Sequence, residues 1–427
     1  MDQSDTVERT SGNILIIGGG IGGLTLALAL HAVGLGPRVR LYDTVPEFRP
    51  VGGGINLGPH AIRVLSWLGL EDRLVAVSKQ PHDYAFFTRH GQLVYREPWG
   101  KAAGHRWHHV SIHRAALHDV LIEAVRERIG ADRLHLGQRC AAVEQQDASV
   151  TARFVSAAGE TATATGAVLI GCDGTRSTVR GFLYPDEGPP RFHGTNLWRG
   201  VTRHAPILTG SSIIRIGAMH STIIVYPIRD DIDGAGNQLV NWVAEVDSPA
   251  AVPIDWNGLA RLEDFYPVYQ TWTFDWLDVA ALIRGTNPIL TYPMVDRDPL
   301  ARWTFGRLTL LGDAAHPMFP RGGNGGAQAI LDAERLAQEL AAGVDGAALE
   351  RYEAERRPAT TRVVLQNRTA PPNLIVDTVE KIANGRPFRD VSEIIPPEKL
   401  REIFETYQKV AGYHVDLVNR HAGRKGA

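Results

Sequence analysis

One stretch near the start of the chain limits the possible fold more than any other. Residues 13–17 are mostly apolar, Gly18, Gly20 and Gly23 follow with the spacing G-x-G-x-x-G, and residues 24–30 are leucine, alanine and threonine. The first glycine permits a tight turn, the second lets the backbone approach a pyrophosphate, and the third lets helix and strand pack closely. The pattern predicts a strand, a turn and a helix that bind a dinucleotide.

The helix of this unit directs its unpaired N–H groups toward the phosphates, and Ile21 and Gly22 lie at its start. A second strand, predicted over residues 38–43, ends in Asp43. This acid follows the glycine motif by about twenty residues, where a ribose hydroxyl needs an acceptor. The motif by itself also fits a glycine-rich turn in another α/β protein, and the placement of Asp43 favours the dinucleotide.

Composition limits the cell compartment and the kinds of partner. The 427 residues are enough for two or three domains, and 45 Lys+Arg balance 47 Asp+Glu without a long charged block. This balance argues against nucleic acid or an anionic membrane surface as the main partner. Cys140 and Cys172 lie far apart, which fits a reducing cytoplasm. Residues 14–35 are hydrophobic but interrupted by glycines, and acidic residues precede them, so we expect a soluble, cytoplasmic protein.

Two further features suggest contacts with a cofactor. The glycine-rich segment 52–58 has too many glycines for a helix, so Gly53 and Gly54 either lie flat against a planar group or belong to a mobile surface loop. Residues 114–128 have helical apolar spacing, and Arg114 falls in the first turn. A cation there opposes the helix dipole, so Arg114 either has an anionic partner or is a surface arginine.

The strand–turn–helix pattern occurs twice more. A buried strand ends at Asp173-Gly174, and another leads through Gly312-Asp313 and the glycine-rich loop 322–326 into a long helix. Open α/β sheets bind ligands at such strand ends. Each aspartate alone is more often an ordinary helix cap, but the recurrence of the pattern in this order favours ligand contacts. Residues 191–288 instead contain short strand-like segments rich in aromatics, which predict an inserted antiparallel sheet.

On these motifs the chain resembles the class A, single-component flavoprotein aromatic hydroxylases of the para-hydroxybenzoate hydroxylase superfamily. The resemblance covers about residues 12–370 and includes the G-x-G-x-x-G, the Asp173-Gly174 pair and Gly-Asp-Ala-Ala-His-Pro at residues 312–317. Within that family, the sequence is similar to the phenazine-1-carboxylate-type monooxygenases. The stretches that carry this similarity are residues 111–114, 198–201, 240–243 and 292–299.

The resemblance implies an α/β fold class, which becomes α+β when the inserted antiparallel sheet is included. It also implies that the chain has three parts. A discontinuous Rossmann-like FAD-binding domain would comprise residues 12–85, 105–190 and 288–365. A substrate-binding sheet domain would comprise residues 86–104 and 191–287, and a C-terminal helical region residues 366–427.

The resemblance also implies non-covalent FAD, NAD(P)H as a transient co-substrate, and O2. Asp43 would bind the adenosine ribose, Arg114 would lie near the pyrophosphate, and Asp313 would bind the ribityl hydroxyls. Asp173 and Gly174 would touch the pyrophosphate and assist the nicotinamide. The implied cofactor contacts are Gly18, Gly20, Ile21, Gly22, Gly23, Asp43, Gly53, Gly54, Arg114, Asp173, Gly174, Gly312, Asp313, Gly325 and Gly326.

Catalysis would take place at the flavin face, without an obligatory side-chain base, and we interpret His316 as structural. The flavin-face loop would comprise Pro320, Gly322, Gly323, Asn324 and Gly325. Arg321 departs from the family pattern, and it would grip a substrate carboxylate, contact the NAD(P)H phosphate or point to solvent. The candidate substrate residues are Arg199, Tyr226, Trp242, Tyr292, Met294, Phe319 and Arg321, although core packing is the better interpretation for at least two of the aromatics.

The predicted reaction is hydroxylation of an aromatic or heteroaromatic, polycyclic substrate through a flavin C4a-hydroperoxide, with or without decarboxylation. The alternative is an FAD-dependent reductase or dehydrogenase on the same fold, which would act on an isoprenoid or other alkene in a long apolar tunnel. A non-catalytic flavoprotein is a third possibility, although it would not need the intact loop at residues 322–326. We expect a small aromatic substrate, no nucleic-acid or membrane partner, no metal, and a monomer or homodimer.

Overall fold

The computed structural model describes residues 12–48, 52–218, 220–253, 255 and 258–421. The strands are β1 (Ile14–Ile17), β2 (Val39–Tyr42), β3 (Gly54–Leu57), β4 (Asp83–Phe87), β5 (Leu93–Pro98), β6 (Val110–His113), β7 (Leu134–His135), β8 (Arg139–Gln145), β9 (Val150–Val155), β10 (Thr161–Gly166), β11 (Val168–Gly171), β12 (Arg191–His204), β13 (Ser212–Ile216), β14 (Ser221–Arg229), β15 (Gln238–Asp247), β16 (Thr273–Phe274), β17 (Leu277–Asp278), β18 (Leu290–Asp296) and β19 (Leu308–Leu310). The helices are α1 (Ile21–Ala32), α2 (Pro59–Trp67), α3 (Glu71–Ala76), α4 (Arg114–Arg128), α5 (Thr178–Leu183), α6 (Tyr266–Tyr269), α7 (Val279–Arg284), α8 (Gly325–Ala342), α9 (Gly346–Thr369), α10 (Leu374–Ile382), α11 (Pro397–Ala411) and α12 (Val415–Arg420).

A parallel five-stranded sheet with the order β19-β11-β1-β2-β7 is the core of the nucleotide-binding part. Strand β1 is buried along its whole length, because neighbouring strands flank it and helices cover the sheet, and this explains its continuous apolar sequence. Gly18 has φ 110°, and a Cβ on Gly23 would lie 1.9 Å from the Gly18 carbonyl oxygen. The strand–glycine–helix unit predicted from the sequence is therefore present.

A seven-stranded sheet with the order β18-β12-β15-β14-β13-β4-β5 forms the second large layer. The predicted inserted antiparallel sheet is confirmed for its central strands, whereas β4 and β13 run parallel, with Asp83 opposite Ser212. The parallel pair arises because the β4–β5 hairpin comes from an earlier part of the chain and adds to the edge of the insert. Strands β8, β9 and β10 form a separate antiparallel sheet, and the division into three domains stays a prediction.

Helices dominate the C-terminal part. Helices α8 and α9 pack against each other, and α8 also packs on α1. Helix α11 contacts both α9 and α10, so residues 374–420 are mostly helical and tied to the rest of the fold. Across the described ranges, every helix is too short or too polar to cross a lipid bilayer.

Candidate active site

The carboxyl ends of β1, β11 and β19 face a cavity of about 820 Å³, within the size range of cofactor and substrate pockets. One side of it is formed by the parallel sheet and the loop before α8, and the other side by the seven-stranded sheet. The predicted residues that line it are Gly20, Ile21, Gly22, Gly54, Arg114, Gly174, Arg199, Tyr226, Tyr292, Met294, Gly312, Asp313, Pro320, Arg321, Gly322, Gly323, Asn324, Gly325 and Gly326. A smaller cavity of about 370 Å³ is lined by Gly18, Gly20, Asp43, Asp173 and Gly174 among others.

The start of α1 is open toward these cavities. Gly20 precedes the helix with φ −76° and makes no side-chain cap, and a Cβ built on it meets no described atom within 4 Å. Asp43 Oδ2 accepts a hydrogen bond of 2.6 Å from the Gly19 backbone N–H, so the acid stands beside the glycine turn. The uncapped helix N-terminus and the neighbouring carboxylate fit the phosphate and ribose ends of a dinucleotide.

Arg114 and Asp313 bring opposite charges to the main cavity. The Arg114 backbone N–H donates to the Gly53 carbonyl oxygen at 3.0 Å, which places the arginine at the start of α4 against the glycine-rich segment. Its guanidinium has no hydrogen bond to any residue that the structure describes. The surrounding protein lowers the pKa of Arg114, and the nearby Asp313 carboxylate acts in the opposite direction. The Arg114 side chain is exposed toward the cavity, and a cation there without a hydrogen-bond partner among the described residues fits an anionic cofactor such as a pyrophosphate.

Asp173 uses its carboxylate to cap a helix. Its oxygens accept hydrogen bonds from the Ser177 hydroxyl and from the backbone N–H groups of Thr178 and Val179, the latter two at 2.7 and 3.1 Å. Burial raises the pKa of Asp173, although these hydrogen bonds act against the rise. The helix-cap interpretation therefore describes the side chain, and a contact of Asp173 with a cofactor stays a prediction.

A buried ion-pair cluster fixes the Gly312-Asp313 turn from behind. Asp332 accepts from the Gly312 N–H at 3.2 Å and from His316 Nε2 at 2.6 Å, and Arg356 Nε donates to its other oxygen at 2.7 Å. Burial would raise the pKa of Asp332, but His316 and Arg356 outweigh burial and lower it. His316 is thus held in a structural ion pair. Sequence reasoning missed Asp332 and Arg356, although charged residues within apolar helix faces are a recognisable signal.

The seven-stranded sheet supplies the other wall. Arg199 lies over the ring of Tyr292, with 4.8 Å from the guanidinium carbon to the ring centre, and Tyr226 is 5 % exposed at the cavity surface. Burial raises the pKa of Tyr226, which keeps its hydroxyl protonated and able to donate. Together with Met294, these side chains give a flat wall suited to an aromatic ring.

Two of the candidate substrate residues lie in the core, in agreement with the core-packing interpretation for at least two of the aromatics. Trp242 is fully buried, donates to the Thr286 hydroxyl at 2.9 Å and packs in the core on the far side of the sheet. The cause is strand alternation, because its neighbour Asn241 faces the site and accepts from the Gly54 N–H at 2.6 Å. Phe319 is 2 % exposed and packs beside Met294 behind the cavity.

Arg321 belongs to a buried charged cluster rather than to the solvent. It is 8 % exposed, and its Nε donates to Glu245 Oε2 at 3.1 Å. Arg215 donates to the Arg321 carbonyl oxygen at 2.9 Å and lies 4.0 Å from the other oxygen of Glu245. The three side chains line the cavity with two positive charges and one negative charge. Sequence reasoning missed Arg215 and Glu245, because they adjoin Arg321 only through the pairing of distant strands.

The fold and the site together define a protein that can hold a dinucleotide at the carboxyl ends of a parallel sheet, next to a pocket walled by a second sheet. The uncapped start of α1, the open space at Gly20 and the Arg114 guanidinium fit FAD. The chain belongs to the FAD-binding domain family, which it matches over residues 12–227 and 291–367.

Individual relatives agree with this assignment. The chain is 41% identical over 385 residues to a phenazine 1,6-dicarboxylic acid hydroxylase of Lysobacter antibioticus, which covers 88% of this chain and 93% of that protein. It is 33% identical over 365 residues to a 3-amino-4-hydroxybenzoate 2-monooxygenase of Streptomyces platensis, with 83% and 86% covered. A structure of Klebsiella pneumoniae HpxO with FAD and uric acid shares the fold, with a TM-score of 0.71, 23% identity, and 96% and 97% of the chains covered.

These findings confirm several predictions from the sequence. The α/β fold, FAD as the cofactor with NAD(P)H and O2, and monooxygenase chemistry on a small aromatic compound are confirmed. The relatives favour hydroxylation over reduction of an alkene, because their names are those of monooxygenases and hydroxylases. The contacts of individual residues with FAD and substrate stay predictions.

Proposed function

We propose that the chain hydroxylates a polycyclic heteroaromatic carboxylic acid. The observation that carries this proposal is the pair of buried arginines, Arg215 and Arg321, in the same cavity as the residues predicted to bind FAD. Guanidinium groups in a cavity wall suit a carboxylate ligand, and the flat wall at Tyr226 and Tyr292 favours a planar one. Relatives named for a phenazine dicarboxylic acid, an aminohydroxybenzoate and a 6-hydroxynicotinate support the same class of substrate.

Each part of the site then has a defined task. FAD, when bound and reduced, supplies the activated oxygen. The starts of α1 and α8 would stabilise negative charge on the cofactor, Arg114 would neutralise its pyrophosphate, and Asp313 would accept from its ribityl hydroxyls. Arg199, Tyr292 and Met294 would hold the substrate ring, and the bound ring and cofactor would displace water from the cavity.

The proposal is tested by NADH and NADPH oxidation with FAD-loaded protein and a panel of aromatic acids, including phenazine carboxylates. We expect a polycyclic acid to accelerate oxidation and to yield a product that gains one oxygen atom, or one that exchanges a carboxyl for a hydroxyl group. The second product would establish decarboxylative hydroxylation. If only the methyl esters or uncharged analogues were turned over, the assignment of a carboxylate to the arginine wall would be wrong.

A reductase acting on an alkene remains the alternative, and it is tested by anaerobic incubation of the reduced protein with an isoprenoid. We expect no saturated product, because the charged residues at the wall disfavour a long apolar chain. A cytoplasmic location and a monomeric or homodimeric state are part of the proposal. Light scattering on the purified protein measures the oligomeric state directly.

A further inference from the structure

The C-terminal part of the chain contributes one tyrosine to the main cavity. Tyr413 follows α11, where Gly412 ends the helix with φ 83°, and it is one of the residues that line the cavity. It lies outside residues 12–227 and 291–367, the ranges that match the FAD-binding domain family. The cavity wall therefore includes a side chain for which the family match does not account.

Three aromatic rings hold the Tyr413 ring in place. Its centre lies 5.6 Å from the His60 ring, 5.6 Å from the Trp99 ring in an edge-on arrangement, and 6.2 Å from the Tyr407 ring. All three neighbours are buried. A ring packed in this way has little freedom to turn, so the fold sets the position of the Tyr413 hydroxyl.

The Tyr413 hydroxyl is a donor without a hydrogen-bond partner among the residues that the structure describes. Its oxygen keeps surface that water can reach, although the whole residue is 6 % exposed. Burial raises the pKa of Tyr413, so the hydroxyl lies deep within the protein and stays protonated at neutral pH. The space that reaches it is the main cavity, and an unpaired donor there fits a hydrogen-bond acceptor on a ligand.

The surroundings of this hydroxyl favour an uncharged acceptor. The aromatic rings that contact Tyr413 are neutral at pH 7, because burial lowers the pKa of the one histidine among them, His60, to about 3. Neutral aromatic rings disfavour a carboxylate, which would lose its hydration without gaining a countercharge from them. The proposed function assigns the carboxylate to Arg215 and Arg321, so Tyr413 is left for another group of the substrate.

We propose that Tyr413 is a specificity-determining residue, whose hydroxyl donates a hydrogen bond to an uncharged acceptor in the substrate ring system, such as a heteroaromatic nitrogen. This inference rests on the proposed function, because a polycyclic acid must first occupy the cavity. A site built to donate to a substrate atom rejects the analogue that lacks this atom, since the buried donor is then left unpaired. Tyr413 thus gives the site a preference for heteroaromatic over carbocyclic rings.

The test compares phenazine-1-carboxylate with anthracene-1-carboxylate, two acids of equal charge and nearly equal shape, of which only the first contains ring nitrogens. Their dissociation constants are measured from the change in flavin absorbance of the FAD-loaded protein. We expect Tyr413→Phe to weaken binding of the phenazine acid about five- to tenfold and to leave binding of the anthracene acid within about twofold of wild type. The unfolding temperature should stay close to wild type, because the phenylalanine ring keeps the aromatic packing.

The matched control is Tyr352→Phe. Tyr352 is fully buried, and its hydroxyl donates to the Leu310 carbonyl oxygen at 3.1 Å, away from the residues that line the cavity. A purely structural loss weakens binding of both acids by the same factor, and we expect no more than this in the control.

An equal change for the two acids in Tyr413→Phe, or no change, would overturn the assignment of Tyr413, while binding of both acids to the wild type would still support the proposed function. If neither acid bound to the wild type, the polycyclic substrate of the proposed function would be wrong, and the assignment of Tyr413 would fall with it.

Discussion

Arg114 is a single residue whose charge we expect to serve FAD binding more than the fold. Its guanidinium faces the cavity, and surrounding protein lowers its pKa. We expect Arg114→Met to raise the FAD dissociation constant about 10- to 100-fold, because a charge-assisted hydrogen bond to a phosphate is lost. The unfolding temperature of the apoprotein should stay about the same, since the Arg114 side chain is exposed to the cavity and makes no hydrogen bond with a described residue. Fluorescence titration and thermal unfolding measure the two effects.

Arg126 on the same helix provides the matched control, because its side chain is exposed. Arg126→Met should leave both FAD affinity and apoprotein stability close to wild type. Equal loss of FAD affinity in the two variants would mean that total charge, rather than the position of Arg114, governs binding.

Sequence reasoning about single residues succeeded where the chemistry is local. Gly20 belongs to the glycine motif and Arg114 is the first residue of α4, so the local sequence indicates where each residue lies. Both line the cavity. The orientation of Trp242 could not be deduced, because it depends on which face of β15 meets the nucleotide-binding part.

At the scale of elements, the β1–α1 unit contains two glycines that differ in the space available for a side chain. A Cβ at Gly20 projects into open space, whereas a Cβ at Gly23 lies 1.9 Å from the Gly18 carbonyl oxygen. Gly20→Ala should therefore leave the apoprotein stable and weaken FAD binding at least about tenfold, because the methyl group takes the place of the pyrophosphate. Gly23→Ala should destabilise the apoprotein by about 2–3 kcal/mol, because strand and helix must separate.

Urea unfolding and FAD titration of both variants check this pair of outcomes. Stable apoprotein with intact FAD binding in Gly20→Ala would place the pyrophosphate elsewhere. A stable Gly23→Ala variant would show that the strand and helix are less tightly packed than the structure indicates.

Whole elements were predictable when their periodicity was strong. The helix expected at residues 114–128 occurs with those bounds. The parallel pairing of β4 with β13 was not foreseen, because alternation of apolar residues fixes the faces of a strand but not its neighbours. Topology of this kind depends on how the two sheets pack.

For the molecule as a whole, buried histidines set the response to acid. Burial lowers the pKa of both His60 and His109 to about 3, and His109 Nδ1 accepts from Trp99 Nε1 at 2.8 Å. The unfolded chain binds protons at these sites below about pH 6.5, before the folded chain does. Stability is therefore complete above that pH and declines as the pH falls toward 3.

We expect each of the two histidines to remove about 2 kcal/mol of unfolding free energy between pH 7 and pH 5. In the double variant His60→Gln/His109→Gln, the unfolding free energy should fall by correspondingly less between pH 7 and pH 5, because glutamine does not titrate. Urea unfolding at the two pH values measures the difference, and His31→Gln, at an exposed position, is the control. An unchanged pH dependence in the double variant would contradict this assignment.

The two edge strands of the seven-stranded sheet also have a consequence for how the chain acquires its structure. Strand β5 forms one edge and β18 the other, although they lie in distant parts of the sequence. Contacts between distant segments slow folding, because a long loop must close before any contact forms. During synthesis, the substrate pocket therefore takes shape late, after β18 has emerged from the ribosome, whereas the β1–α1 unit can form early.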